Sequence, residues 1–217
     1  MVFAYKRAAG DAEIRKALFS VMDLETTGLN PKRDEIVALA IIPMRGLEIE
    51  IGSAYYSLVR PRGLNVESIA VHGLGPESLK KGARDLEVIA KEVLHLLSGR
   101  ILVGHSVNFD YKFLKRSFNS IGVKLKNKRI DIALLELAIR KLTDNVVSLD
   151  DLSLESLARD YGIKVAYRHN ALADAFFTAC VFQRQLLRLL RLGISTITEL
   201  LKVYRRALES EAKFSFL

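Results

Sequence analysis

Apolar positions in this chain change period several times, and each change marks a new element. From Leu18 to Leu24 the run is almost wholly apolar, as in a strand buried on both faces. Thr26-Thr-Gly-Leu-Asn-Pro31 interrupts it with turn residues. A second strand is predicted over Glu35 to Met44, and a third over Leu47 to Val59 across the tight Arg45-Gly46 connection. Strands joined by so short a turn run antiparallel. Pro61 to Gly82 reads as a loop region with short helical pieces. The period then lengthens to 3.6, with Leu86, Ile89, Ala90, Val93, Leu94 and Leu97 on one helical face. Ile101 to Gly104 is a short buried strand. It feeds a helix that begins near Val107 or Asn108, takes Asn108 as its N-cap and buries Phe109, Phe113, Leu114 and Phe118. A brief strand at Arg129–Asp131 runs into a helix ending near Leu142. Ser153 to Tyr161 forms another helix, closed by Gly162, and Ala171 to Leu192 a long one, closed by Gly193. Thr196-Ile-Thr-Glu199 has capping-box spacing and opens a last helix to about Glu209. Leu200, Leu201 and Tyr204 are expected to pack that helix on the core. Its Lys202, Arg205 and Arg206 face solvent or, alternatively, a partner or nucleic acid.

Hairpin-linked strands followed by strand and helix in alternation predict an α/β domain, a mixed sheet flanked by helices. The 217 residues suit one domain with short appendages: an N-terminal arm at 1–16, the body at 17–192 and a C-terminal helical extension at 193–217. Half the residues are apolar, enough for a sizeable core. The single cysteine, Cys180, excludes an internal disulfide and sits in an apolar helical stretch where it packs. No run approaches the 18 apolar residues of a membrane span, and no apolar signal region opens the chain, so a soluble cytoplasmic protein is expected. Lys and Arg number 33 against 25 acids, a formal charge of +8 that favours a polyanionic partner.

The candidate chemistry lies in three segments. Asp23 and Glu25 end the first strand, where ligands gather in open sheets. Two apart, they share a face and can meet one metal ion. Asp110 stands at the start of the helix after Gly104, where an acid also suits the helix dipole. His105 reads as a hydrogen-bonded structural residue. In His169-Asn-Ala-Leu-Ala-Asp174, Asn170 can cap the helix, leaving His169 on the loop and Asp174 just past the first turn. An imidazole there suits proton abstraction at neutral pH. Read singly, these are strand-end acids, a first-turn acid and a surface histidine. Together, four carboxylates and a histidine are what two-metal phosphodiester cleavage needs. A phosphatase of the haloacid dehalogenase type also begins with an apolar strand and would make Asp23 a nucleophile. It wants a different acid-base residue at Glu25 and an acidic pair after a buried strand, which Asp150-Asp151 does not follow.

In order and spacing these residues resemble the DEDDh 3′–5′ exonucleases, the family of the proofreading subunit of bacterial replicative DNA polymerase. The resemblance covers Leu18 to Leu190: Asp23 and Glu25 match the first motif, Asp110 the second, His169 and Asp174 the third. The DEDDy branch has a tyrosine four residues before the last aspartate, where this chain has Asn170. Ile69-Ala-Val-His72-Gly-Leu74 resembles the family segment near the bound strand, and Ser106 departs from the Asn of many members. The resemblance implies an RNase H-like fold with a five-stranded mixed sheet. It implies two ions, Mg²⁺ or Mn²⁺, one held by Asp23, Glu25 and Asp174, the second bridged by Asp23 and supported by Asp110. It makes His169 the general base. Thr26, Thr27, the apolar wedge Leu29 and His72 become substrate contacts. The implied partner is the 3′ end of single-stranded nucleic acid, DNA before RNA, with a DNA polymerase subunit alongside and no membrane. The alternatives are an RNA-trimming or oligoribonucleotide exonuclease and a non-catalytic polymerase-associated binding module. That module would show a damaged metal set, whereas all five residues are present.

Overall fold

The computed structural model describes residues 12–143, 152–166 and 169–214, with side chains as far as Glu209. Asp150-Asp151, Arg168 and the first 11 residues of the expected arm lie outside the described residues.

Among the described residues six strands form one sheet: β1 (Leu18–Thr26), β2 (Ile36–Arg45), β3 (Glu48–Ile49), β4 (Tyr55–Leu58), β5 (Ile101–Gly104) and β6 (Arg129–Asp131). Their order is β3-β2-β1-β5-β6, with β4 also paired to β2. β1 and β2 are antiparallel, while β5 and β6 run parallel to β1, so the sheet is mixed as expected. The predicted third strand is split into β3 and β4 by a 3₁₀ turn at Ile51–Ser53. Pro43 accounts for the split. Its carbonyl accepts the Glu50 N–H at 2.9 Å, so its backbone faces this edge. In an antiparallel ladder the N–H points the same way, and proline has none to give. The ladder lapses there and resumes at Ile41, opposite Tyr55. Gly46 closes the β2–β3 hairpin at a φ of +56°, and a Cβ there would lie 2.2 Å from the Arg15 carbonyl.

The described residues also hold eight α-helices: α1 (Val66–His72), α2 (Pro76–Gly82), α3 (Leu86–Leu97), α4 (Val107–Ser120), α5 (Ile132–Thr143), α6 (Leu154–Asp160), α7 (Ala171–Arg191) and α8 (Ile197–Phe214). Alternation along β1 divides the core. Phe19 and Val21 pack with residues of α5 to α8, where the Phe19 and Phe182 rings meet edge-on at 5.0 Å. Met22 and Leu24 pack with α3 and α4. The acids Asp23 and Glu25 continue the Phe19–Val21 face, toward α7.

Residues 12–14 meet the α7–α8 connection on that side. Ile14 donates its N–H to Ser195 O at 2.7 Å, and Ile197 donates to Ala12 O at 2.9 Å. Ile14, Ile197, Leu200, Tyr204 and Ala207 are all buried. The capping box forms as read: Thr196 Oγ1 accepts the Glu199 N–H, and Glu199 Oε2 accepts the Ser195 and Thr196 N–H groups. Those backbone bonds, Ser195's first, pull the Glu199 carboxyl below its ordinary range.

The start of α4 differs from expectation. Asn108 is not its cap; it lies in the first turn and accepts Arg129 Nε at 2.9 Å. Asp131, at the end of neighbouring β6, takes the Val107 N–H on Oδ2 at 3.0 Å and the Ala133 N–H on Oδ1 at 3.0 Å. One carboxylate therefore caps α4 and α5 together. Its own N–H donates to Tyr204 Oη at 3.0 Å. Asp131→Ala strands two helix-start donors in a buried place and is expected to cost about 2–3 kcal/mol. Asp131→Asn, which keeps one acceptor, should cost less; chemical denaturation midpoints of the two variants check the order.

Candidate active site

The acids converge because small residues let α7 approach the sheet. Asp23 pairs with Ala40 and Glu25 with Ala38 across β1 and β2. Ala171 and Ala175 of α7, on either side of Asp174, pack against these same alanines. With alanines on both facing surfaces at this point, Asp174 reaches the two strand acids. Ligand oxygens of Asp23, Glu25 and Asp174 all lie within 4.8 Å of one another. Asp110 enters from the first turn of α4, and His169 from the loop before α7. With Leu24, His105, Ser106, Phe109 and Leu154, these five line one cleft of about 190 Å³ at the carboxyl end of β1.

Backbone conformations at the rim are unusual. Ser106 and His169 have φ of +61° and +60°, and among the described residues no other non-glycine has a positive φ. Both line the cleft, and strain of this kind, about 1–3 kcal/mol each, concentrates at functional sites. Ser106 turns the chain sharply from β5 into α4, which aims Asp110 inward. The His169 N–H donates to Asp174 Oδ2 at 3.1 Å, so the backbone that carries the imidazole is anchored to one of the acids. Asn170 caps α7 as expected, its Oδ1 accepting the Ala173 N–H at 3.1 Å. His105 takes the structural role read for it, its Nε2 lying 2.9 Å from Leu152 O.

The cluster is electrostatically uncomfortable without a cation. Asp110 is 4% exposed and its Oδ2 is buried with no hydrogen-bond partner. Burial, then the charges of Glu25 and Asp131, push its carboxyl well above the ordinary carboxylate range. Asp131 is likewise raised by burial, against the lowering pull of His105 and its helix-start donors. Oxygen donors packed this closely fit a hard divalent cation.

The expected substrate contacts lie outside this lining. Thr26 Oγ1 donates to Gly28 O at 2.7 Å, while Thr27 is buried and bonds both ways with the backbone of Glu35. Leu29 stands 83% exposed at the tip of their turn. His72 ends α1; its Nδ1 accepts the Leu74 N–H at 3.0 Å, its Nε2 is buried without a partner, and burial lowers its pKa. A residue missed in the sequence joins these parts. Asn65 caps α1 through Oδ1 to the Ser68 N–H at 2.6 Å and donates Nδ2 to Thr27 O at 2.5 Å. Tyr56 was also missed: it pairs with Ala40, on the face of Asp23, and is pushed up by burial and then by Glu25. Only the asparagine before a short helical piece offered a sequence signal.

This architecture is that of the RNase H-like exonucleases. E. coli exonuclease I, solved in complex with a dT13 oligonucleotide, superposes with a TM-score of 0.69 over 82% of this chain and 43% of its own, at 21% identity, a likeness of fold. The chain belongs to the RNase T exonuclease family, whose model matches residues 20–182. It is 32% identical over 200 residues to the PolC-type DNA polymerase III of Thermotoga maritima, covering 91% of this chain and 14% of that protein. It is 31% identical to a DNA polymerase III subunit epsilon-like protein of Rhodobacter capsulatus, covering 92% of this chain and 28% of that one. The 3′–5′ exonuclease DinG of Staphylococcus aureus is 28% identical over 85% of this chain and 20% of its own. The chain thus spans less than a third of the length of these curated relatives.

Proposed function

We propose that this chain is a divalent-metal-dependent 3′–5′ exonuclease that releases nucleoside 5′-monophosphates from single-stranded DNA. The observation that carries the reading is the meeting of Asp23, Glu25 and Asp174 oxygens within 4.8 Å, in a cleft that Asp110 and His169 also line. Asp23, Glu25 and Asp174 hold one ion; Asp23 and Asp110 serve a second. Two bound ions supply the positive charge that stabilises the phosphorane-like transition state and the leaving 3′ oxygen. His169 takes the proton of the attacking water on its imidazole, from a loop whose N–H is fixed to Asp174. Thr26, Thr27 and Leu29 receive the terminal nucleotide, and His72 contacts the strand behind it.

DNA is preferred because two of the relatives named above carry DNA polymerase III names. A polymerase subunit as partner and a cytoplasmic location belong to the same reading; among the described residues no helix is long and apolar enough to cross a membrane. Residues 17–192 carry the exonuclease unit, and the helix α8 that follows is its extension, docked through Ile197, Leu200 and Tyr204.

Product analysis tests the reading. With Mn²⁺ and an unlabelled dT20 strand, mass spectrometry should find thymidine 5′-monophosphate accumulating and no 3′-phosphates. An intact strand after long incubation would favour the binding module. His169→Ala is expected to lower kcat by about 10²–10⁴-fold while strand affinity stays within about twofold. Equal losses in turnover and affinity would make His169 a substrate contact instead.

A further inference from the structure

Positive charge is concentrated in one stretch of this chain. Val107–Ile130 contains seven Lys and Arg residues and one acid, a net +6 against +8 for the whole chain. That acid is Asp110, buried in the cleft, so the stretch shows solvent only cations. Lys112 and Lys115 lie on the outer side of α4. Lys124, Lys126 and Lys128 are exposed in strict alternation with buried Leu125 and Asn127. The extended segment is fixed from below: Leu125 O accepts the Tyr111 hydroxyl at 2.8 Å, and Asn127 Nδ2 donates to Leu97 O at 2.6 Å and Arg100 O at 2.9 Å. Alternation on an extended backbone sets the three lysines about 7 Å apart in a row.

These lysines have no carboxylate partner, whereas several exposed cations elsewhere do. Lys16, Arg60, Lys80 and Arg84 each pair with a carboxylate. Among the described residues none of the five lysines from Lys112 to Lys128 has such a partner. The row also connects to the cleft. Arg129 Nε donates to Asn108 Oδ1 at 2.9 Å, and its guanidinium lies 4.0 Å over the Tyr111 ring. Asn108 directly precedes Phe109 and Asp110 in the cleft wall.

We propose that Lys112, Lys115, Lys124, Lys126, Lys128 and Arg129 form a phosphate track that holds the single strand upstream of the 3′ end in the cleft. This rests on the exonuclease reading and adds the path of the substrate outside the catalytic cleft. The chemistry it selects is a run of phosphodiesters, read without regard to base, and it makes affinity depend on strand length.

The test is the salt dependence of binding to a 5′-fluorescent dT20, read by anisotropy in EDTA so that nothing is cleaved. Each single-strand phosphate contact contributes about 0.7 to the slope of log affinity against log salt. The triple variant Lys124→Gln, Lys126→Gln, Lys128→Gln should lower that slope by about 2 and weaken dT20 binding at least tenfold at about 0.1 M salt. Its kcat/KM on dT4, too short to follow the track, should match the wild type. A control triple, Lys81→Gln, Lys91→Gln, Lys202→Gln, removes the same charge from other exposed positions and should leave the slope unchanged. A wild-type slope in the first triple, an equal loss in both triples, or no dT20 binding by the unaltered protein would overturn the track. Because the readout needs no turnover, a catalytic failure would show separately, as uncleaved dT4 with dT20 binding intact.

Discussion

Asp174→Asn is expected to lower exonuclease turnover on the order of 10³-fold or more and leave the fold in place. Asp174 is 5% exposed and shares its ligand distance with Asp23 and Glu25. Asparagine keeps the shape and one oxygen, which can still accept the His169 N–H. What it removes is the charge, and a neutral amide is a much poorer ligand for a hard divalent ion. The buried acids repel one another when no cation is present, so loss of one charge relieves the cluster. In EDTA the variant should therefore melt at or above the wild type. Ion binding to the native state raises the wild-type melting temperature by mass action. Added Mn²⁺ should raise it in the wild type and barely move it in the variant. A variant that retains turnover, with its mass confirmed, would remove Asp174 from the metal set.

The largest stability effect is expected far from the cleft, at Glu136. This carboxylate is 2% exposed and accepts Arg140 Nε at 3.1 Å, Arg188 Nη1 at 3.0 Å, the Tyr161 hydroxyl at 2.6 Å and Gln185 Nε2 at 3.2 Å. Burial, and then the bond to Glu136, push the Tyr161 hydroxyl above the ordinary tyrosine range. A buried ion pair is weak evidence of net stabilisation, but removing one member leaves the others stranded. Glu136→Ala would remove one acceptor from two guanidinium groups, a phenol and an amide, although Arg140 keeps Asp160, Gln185 keeps the Ile132 carbonyl and Arg188 keeps the Tyr161 hydroxyl. Both arginine side chains keep some solvent, at 20% and 33% exposure, which places the cost near the lower end of the usual range, about 3 kcal/mol. For a domain of this size that lowers Tm by about 10 °C. Glu136→Gln retains one acceptor oxygen and should cost less. A Tm within about 2 °C of the wild type for Glu136→Ala would show that the network contributes little.

The candidate site was more legible in the sequence than the devices that assemble it. Asp23 and Glu25 could be read because an apolar strand ends on them and the period of two puts them on one face. His169 and Asp174 could be read because Asn170 is a good helix cap at the right distance. Each of these signals is local. The closeness of α7 to the sheet depends on Ala38, Ala40, Ala171 and Ala175, residues some 130 positions apart whose small size matters only once they face each other. Asp131 shows the same divide. An acid just before a helix was readable as a cap for α5, but its second bond, to Val107, crosses from the end of β6 to the start of α4. Pro43 carried a readable warning that the ladder beside it must lapse, and the split of the third strand follows from that missing N–H. Ser106 gave no sign of its left-handed backbone, which only the tight passage from β5 to α4 requires.

The most direct measurement is a time course on 5′-labelled single-stranded DNA and RNA of equal sequence. Each would be run with Mg²⁺ or Mn²⁺, with EDTA, and with the Asp174→Asn protein. A ladder shortening from the 3′ end is expected, faster on DNA, present only with the metal and only with the wild-type acids. Shortening that persists in EDTA, or that proceeds equally well in the Asp174→Asn protein, would contradict it.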